Sequence, residues 1–216
     1  MKMILKDNKG EQMENRRRIG IMGGTFNPIH MGHFILAKDA KEQFHLNNIL
    51  FIPAKCPYHK EITDPISDYD RIKMVQLAIE NEPDFQLNLM EFDRDGNTYT
   101  IDTLNELENI YENTQFYFIM GADSLFQFLT WKQPEEILRK AIILVGIRDN
   151  KKIEELKQQI KLIIDTIGYG TFHIINNPNI DISSHEIRNK IKNKLSIQSL
   201  VSENVYQYIK KNRLYE

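Results

Sequence analysis

His30 and His33 stand three positions apart, so on a helix their imidazoles would share one face. The residues before them give that pair a setting. Ile19 to Met22 is a short apolar run that reads as a buried strand. Gly23 and Gly24 follow, and glycine permits a sharp turn and a close backbone approach. Thr25 and Asn27 suit a cap or turn, and Pro28 cannot sit inside a helix. A strand, a glycine turn and a helix N-terminus carrying two imidazoles form a receptor for phosphate. Unbonded N–H groups and the helix dipole favour an anion there, and each imidazole adds a donor. Zinc ligation is a weaker reading, because no cysteine or acidic partner lies nearby. On these residues alone, a phosphate site and an ordinary structural turn fit equally well.

Other chemistry-bearing residues follow along the chain. His59 and Lys60 lie in an irregular loop, Ala54 to Pro65, whose composition favours a solvated basic segment. Asp70-Arg71 opens a helix and reads as a surface ion pair, worth about 0–1 kcal/mol. Thr98-Tyr99-Thr100 starts a helix and can cap it. Trp131, the only tryptophan, would by default anchor a core or an interface. Its setting between Thr130 and Lys132-Gln133-Pro134 is a loop, where an indole can stack on a flat heteroaromatic ring. Ser183 or Ser184 can cap the following helix, with Arg188 one turn later as a bidentate fork for phosphate.

The elements that must position these groups are legible as apolar runs. Strands are predicted at Ile19–Met22, Ile49–Pro53, Phe85–Met90, Phe116–Met120, Ala141–Ile147 and Thr171–Ile175. Helices are predicted at Met31–Phe44, after a Ser67 cap, at Ile101–Tyr111, from Pro134, and at Lys151–Ile167, His185–Leu195 and Ser202–Lys211. This alternation predicts a doubly wound, mostly parallel α/β sheet of Rossmann-like form with C-terminal helices. In such sheets ligands sit beyond the carboxyl ends of the strands. Gly23, the Lys55–Lys60 loop, Gly121–Asp123 and Ser183–Arg188 all fall at that edge. Their convergence is the strongest argument from the residues themselves for a single site.

Bulk properties exclude several classes. The 216 residues suffice for one domain with a sizeable core, which we place at 16–216 after an N-terminal extension, 1–15, with Met13 a natural initiator. A net charge of −2 suggests neither a general nucleic-acid surface nor a membrane surface. A single cysteine, Cys56, rules out an intrachain disulfide framework and fits a reducing, cytoplasmic setting. No apolar run reaches the length of a membrane span, and no signal peptide is visible. Oligomeric state is not set by the sequence, so a homo-oligomer stays open.

The string Gly23-Gly24-Thr25-Phe26-Asn27-Pro28-Ile29-His30-Met31-Gly32-His33 closely resembles the signature of nicotinate-nucleotide adenylyltransferases, within the HxGH nucleotidyltransferase superfamily. Three further blocks follow in family order: Cys56-Pro57-Tyr58-His59-Lys60, Gly121-Ala122-Asp123-Ser124-Leu125 with Trp131, and Ile182-Ser183-Ser184-His185-Glu186-Ile187-Arg188. Asn27, Tyr58 and His185 depart from the family's usual Asp, Pro and Thr. The resemblance implies adenylyl transfer from ATP to nicotinate mononucleotide, giving nicotinate adenine dinucleotide and pyrophosphate. It implies His30, His33 and Arg188 as catalytic residues. It implies Gly23, Gly24, Thr25, Phe26, Gly121, Asp123, Ser183 and Ser184 as the ATP site. His59, Lys60, Thr98, Tyr99, Thr100 and Trp131 would meet the mononucleotide. Mg²⁺ would ride on ATP, since no acidic cluster looks like a dedicated metal cage. The competing readings are an enzyme preferring the amide substrate and a non-catalytic nucleotide-binding module.

Overall fold

A computed structural model describes residues 16–55, 66–147, 153–176 and 182–216. The expected extension at 1–15 and the loop holding Tyr58, His59 and Lys60 lie outside the described residues. Among the described residues no helix is long and apolar enough to cross a membrane.

Among the described residues six strands form one sheet in the order β3-β2-β1-β4-β5-β6, and every neighbouring pair is parallel. They are β1 (Arg17–Gly24), β2 (Asn48–Pro53), β3 (Phe85–Leu87), β4 (Thr114–Gly121), β5 (Ala141–Gly146) and β6 (Phe172–Ile175). The chain builds outward from β1 to β3, then returns to β4 on the other side of β1 and builds outward again. The switch point is therefore between β1 and β4, where Ile21 pairs with Phe118.

Among the described residues eight α-helices cover the sheet: α1 (Met31–Phe44), α2 (Asp68–Ile79), α3 (Thr100–Ile110), α4 (Ala122–Gln127), α5 (Pro134–Lys140), α6 (Ile153–Ile167), α7 (Ser184–Lys192) and α8 (Glu203–Asn212). The period-2 alternation of the strands assigns them to two faces. Met22, Phe51 and Ile119 point to the face covered by α1, α2, α7 and α8, through Ala37, Met74, Ile187 and Val205. Ile21, Leu50 and Phe118 point to the face covered by α3 to α6, through Leu104, Leu125, Ile137 and Leu156. Both faces are thus dry, which is why these strands read as continuous apolar runs. Serine hydroxyls start three of the helices: Ser67 accepts from Asp70 N at 3.0 Å, Ser183 from Glu186 N at 3.0 Å and Ser202 from Val205 N at 3.4 Å.

Several local expectations are corrected. The Phe85–Met90 strand stops at Leu87, because Asn88 Oδ1 accepts from Met90 N at 2.9 Å and turns the chain into a 3-10 segment at Met90–Asp93. The last-but-one helix ends at Lys192, and Lys194 beyond it has φ 56°. Gly23 and Gly24 do not make the turn after β1; both belong to the strand, and neither has a positive φ. The left-handed residue is Phe26, at φ 47°. Arg71 is no surface ion pair with Asp70. It is fully buried and pairs with Asp68 Oδ1 at 2.5 Å, while Asp70 accepts from Tyr208 OH at 2.8 Å.

Candidate active site

A cavity of about 850 Å³ opens at the carboxyl edge of the sheet, where β1, β2, β4 and β5 end. Its size suits a nucleotide-scale ligand. Its wall includes Gly23, Gly121, Asp123, Ser183, Ser184 and Arg188 from the regions the sequence placed at this edge, while Lys55 lies outside it.

The α1 side is built on the two histidines. His30 is the N-cap of α1, with φ −146°, and so lies just outside the helix rather than on its face. Its ring still reaches that of His33, with centroids 3.8 Å apart and planes at 34°. His30 N donates to His33 Nδ1 at 3.3 Å. An accepting Nδ1 fixes neutral His33 as the Nε2–H tautomer, so Nε2 is a donor. Phe26 holds the other side of His33, edge-on at 5.1 Å. The left-handed backbone of Phe26 is what turns its ring back under the imidazole.

The loop between β1 and α1 is tied down from a distance. Arg188, 5% exposed, donates through Nη1 to Asn27 O at 2.8 Å. Ser184 Oγ donates to Pro28 O at 2.9 Å. The hydroxyls of Ser183 and Ser184 are therefore engaged with protein groups, and α7 presents its N-terminal amides and dipole to the cavity. His185, also in the cavity wall, has its Nε2 at 2.9 Å from Asn189 Nδ2. Across the sheet, Gly121 is the N-cap of α4, with open space where a Cβ would stand, and Asp123 is exposed in the first turn.

The α3 side carries a carboxylate that sequence reasoning missed. Glu91 is buried in the cavity wall, and its Oε1 accepts from Thr103 Oγ1 at 2.7 Å. Arg94 Nη2 donates to the same Thr103 oxygen at 2.6 Å. Burial pushes the Glu91 carboxyl above its ordinary range, against the opposing hydrogen bonds from Thr103 and Thr98. Glu91 stands among apolar neighbours in Met90-Glu91-Phe92, a signal that could have found it. Thr98 and Thr100 line the cavity, while the Tyr99 ring packs against Lys132 Nζ at 4.4 Å. Tyr99 itself holds the N-cap position, with no side-chain cap hydrogen bond. Lys132 is further held by Asp102 at 3.0 Å. Trp131 is both packed and in the cavity wall: it meets Phe118 edge-on at 5.8 Å and Phe128 at 5.5 Å. Lys55 is a strap, donating to the carbonyls of Phe92 at 3.2 Å and Arg94 at 2.6 Å.

A switch-point cavity with paired imidazoles at a helix start and a buried arginine defines a nucleotidyltransferase of the cytidylyltransferase-like class, and the Cytidylyltransferase-like family model matches residues 21–190. Curated relatives narrow this. A protein of Lachnoclostridium phytofermentans named "Probable nicotinate-nucleotide adenylyltransferase" is 41% identical over 92% of this chain and 99% of its own length. One of the same name from Dictyoglomus turgidum is 41% identical over 92% and 95%. The chain belongs to the nicotinate-nucleotide adenylyltransferase family. The fold matches a Plasmodium falciparum nicotinic acid mononucleotide adenylyltransferase complexed with APC, at a TM-score of 0.73, 21% identity, and coverage of 92% of this chain and 97% of that one. The same Plasmodium enzyme complexed with NaAD matches at a TM-score of 0.72.

Proposed function

We propose that this chain transfers the adenylyl group of ATP to nicotinate mononucleotide, releasing pyrophosphate and forming nicotinate adenine dinucleotide. The observation that carries the reading is one cavity wall holding His30, His33, Arg188, Trp131 and the start of α3, in a chain of this family. A phosphate oxygen of the mononucleotide attacks the α-phosphorus of ATP, and that P–O bond forms as the bond to pyrophosphate breaks. No covalent enzyme intermediate is required. The protein's task is in-line alignment and neutralisation of charge.

His33 Nε2–H and the His30 ring face the ATP phosphates, together with Arg188 and the backbone of Gly23, Gly24, Thr25 and Phe26. Ser183 and Ser184 contribute through the N-terminus of α7, and Gly121 and Asp123 meet the nucleotide ribose. Trp131 stacks on the pyridine ring. The backbone of Thr98, Tyr99 and Thr100, at the N-terminus of α3, reads its carboxylate. His59 and Lys60 reach the mononucleotide phosphate from the 54–65 loop. Residues 16–216 act as one domain, in the cytoplasm.

Nucleotidyltransferases of this kind generally act with a divalent metal ion, which supplies charge neutralisation on the phosphates. Among the described residues, no group of three or more His, Cys, Asp or Glu side chains converges to hold one. On this reading Mg²⁺ would be carried by ATP, with the remaining ligands supplied by water.

The test is pyrophosphate release by the purified chain with ATP and either the acid or the amide mononucleotide. A higher kcat/KM for the acid, and its collapse in His33→Ala, is the expected result. Equal efficiencies would defeat the acid-specific reading. ATP binding without turnover would make the chain a nucleotide-binding module.

A further inference from the structure

Tyr215 lies 188 positions from Asn27 in sequence, yet its hydroxyl donates to Asn27 Oδ1 at 2.7 Å in a buried contact. Reaching it requires two left-handed residues, Arg213 at φ 49° and Tyr215 itself at φ 67°. Non-glycine residues hold that backbone only where surrounding contacts enforce it. Leu214 N donates to Ile209 O at 3.1 Å and closes the end of α8, so the chain turns back and sends the Tyr215 ring under the loop. The phenol is 8% exposed, and its surroundings include Arg71 and Arg188.

Three other residues grip the same loop. Arg71 Nη1 donates to Thr25 O at 2.7 Å. Arg188 Nη1 donates to Asn27 O at 2.8 Å, and Ser184 Oγ donates to Pro28 O at 2.9 Å. Three carbonyls and one side-chain oxygen of Thr25–Pro28 are thus held by donors from α2, α7 and the segment after α8. Each donor draws the negative end of a loop dipole toward the protein. That arrangement suits a loop whose ligand is an anion, because a carbonyl turned into the cavity would repel phosphate.

We propose that Tyr215 is a positioning residue for ATP: through Asn27 it fixes the loop before α1 in its phosphate-accepting form, with Arg71, Arg188 and Ser184 as fellow clamps. The inference rests on the reading that this loop faces the ATP phosphates. The Tyr215 hydroxyl acts through Asn27, on the loop placed at the ATP phosphates, so its effect should fall on ATP rather than on the mononucleotide.

The experiment measures kcat and KM for ATP and for nicotinate mononucleotide in the full chain and in Tyr215→Phe, Asn27→Ala, the double variant and Asn27→Asp, with thermal unfolding of each. Tyr215→Phe keeps the buried ring and removes only the hydroxyl. Expected is a fall of roughly 3- to 10-fold in kcat/KM for ATP, the worth of one hydrogen bond, with KM for the mononucleotide unchanged. Asn27→Ala gives a loss at least as large, the double variant adds nothing to it, and Asn27→Asp, which retains an acceptor, recovers most of it. Wild-type ATP kinetics in Tyr215→Phe, losses that multiply in the double variant, or equal losses for both substrates would each overturn the proposal. A wild-type chain without turnover would instead defeat the adenylyltransferase reading. Calorimetric titration with ATP in the same variants would then decide the positioning role by the same pattern in affinity.

Discussion

Gly32 leaves room for the ring of His30: a Cβ at Gly32 would stand 3.0 Å from His30 Nδ1 and 3.1 Å from its Cε1. The glycine between the two histidines therefore serves the imidazole rather than the backbone, since its φ is not positive. A methyl there must displace the His30 ring by a few tenths of an ångström.

Gly32→Ala should accordingly separate stability from activity. Gly32 is the second residue of α1, where alanine gains less over glycine than the roughly 1 kcal/mol of a helix interior, so the melting temperature should change little. Displacing His30 by a fraction of an ångström should lower kcat roughly 10- to 100-fold. Parallel melting curves and steady-state assays check this; wild-type kcat would detach His30 from the reaction.

Arg71 behaves as a core residue in the structure, so its removal should cost more than a surface pair. Arg71→Met leaves the Thr25 carbonyl without this donor, and should destabilise by about 1–3 kcal/mol in urea unfolding. Arg71→Lys should recover only part of that, because one ammonium cannot replace a fork that spans Thr25 and Asp68.

Glu91 gives stability a pH dependence of known sign. Its folded carboxyl titrates above the ordinary value of 4.5, so the folded state holds the proton more tightly than the unfolded one. Its contribution is complete below that value and is lost as pH rises through the folded pKa. Glu91→Gln keeps an acceptor for Thr103 and cannot ionise. The melting temperature of Glu91→Gln relative to wild type should therefore rise as pH increases above 4.5; a difference that stays flat with pH would overturn this.

Trp131 should discriminate between the substrates. Trp131→Ala removes the proposed stacking face, worth about 1–3 kcal/mol by analogy with base stacking, and should raise KM for the mononucleotide roughly 5- to 100-fold. KM for ATP should change far less. Equal changes in both would reduce Trp131 to the packing it makes with Phe118 and Phe128.

The strands were legible because both faces of a parallel sheet are buried, which leaves apolar runs such as Ile49-Leu50-Phe51-Ile52 in the sequence. The start of α5 was legible from Pro134, and the caps of α2 and α7 from Ser67 and Ser183, because caps are local chemistry. The glycine pair misled for the same reason: Gly23 and Gly24 look like a turn locally, whereas pairing with β2, with Gly24 opposite Pro53, carries them on as strand. Phe26 then takes the strained conformation that its contacts with His33 and Phe51 hold in place.

The sequence by itself determined the alternation of strand and helix, the edge of the sheet where chemistry gathers, and the kind of group gathered there. Those follow from periodicity and from residue types at short spacing. Only the tertiary structure decided that His30 caps α1 instead of riding on it, that Arg71 and Glu91 are buried, and that Tyr215 closes on Asn27. Burial and hydrogen-bond partnership depend on which distant segments the sheet brings together, and no spacing along the chain records that.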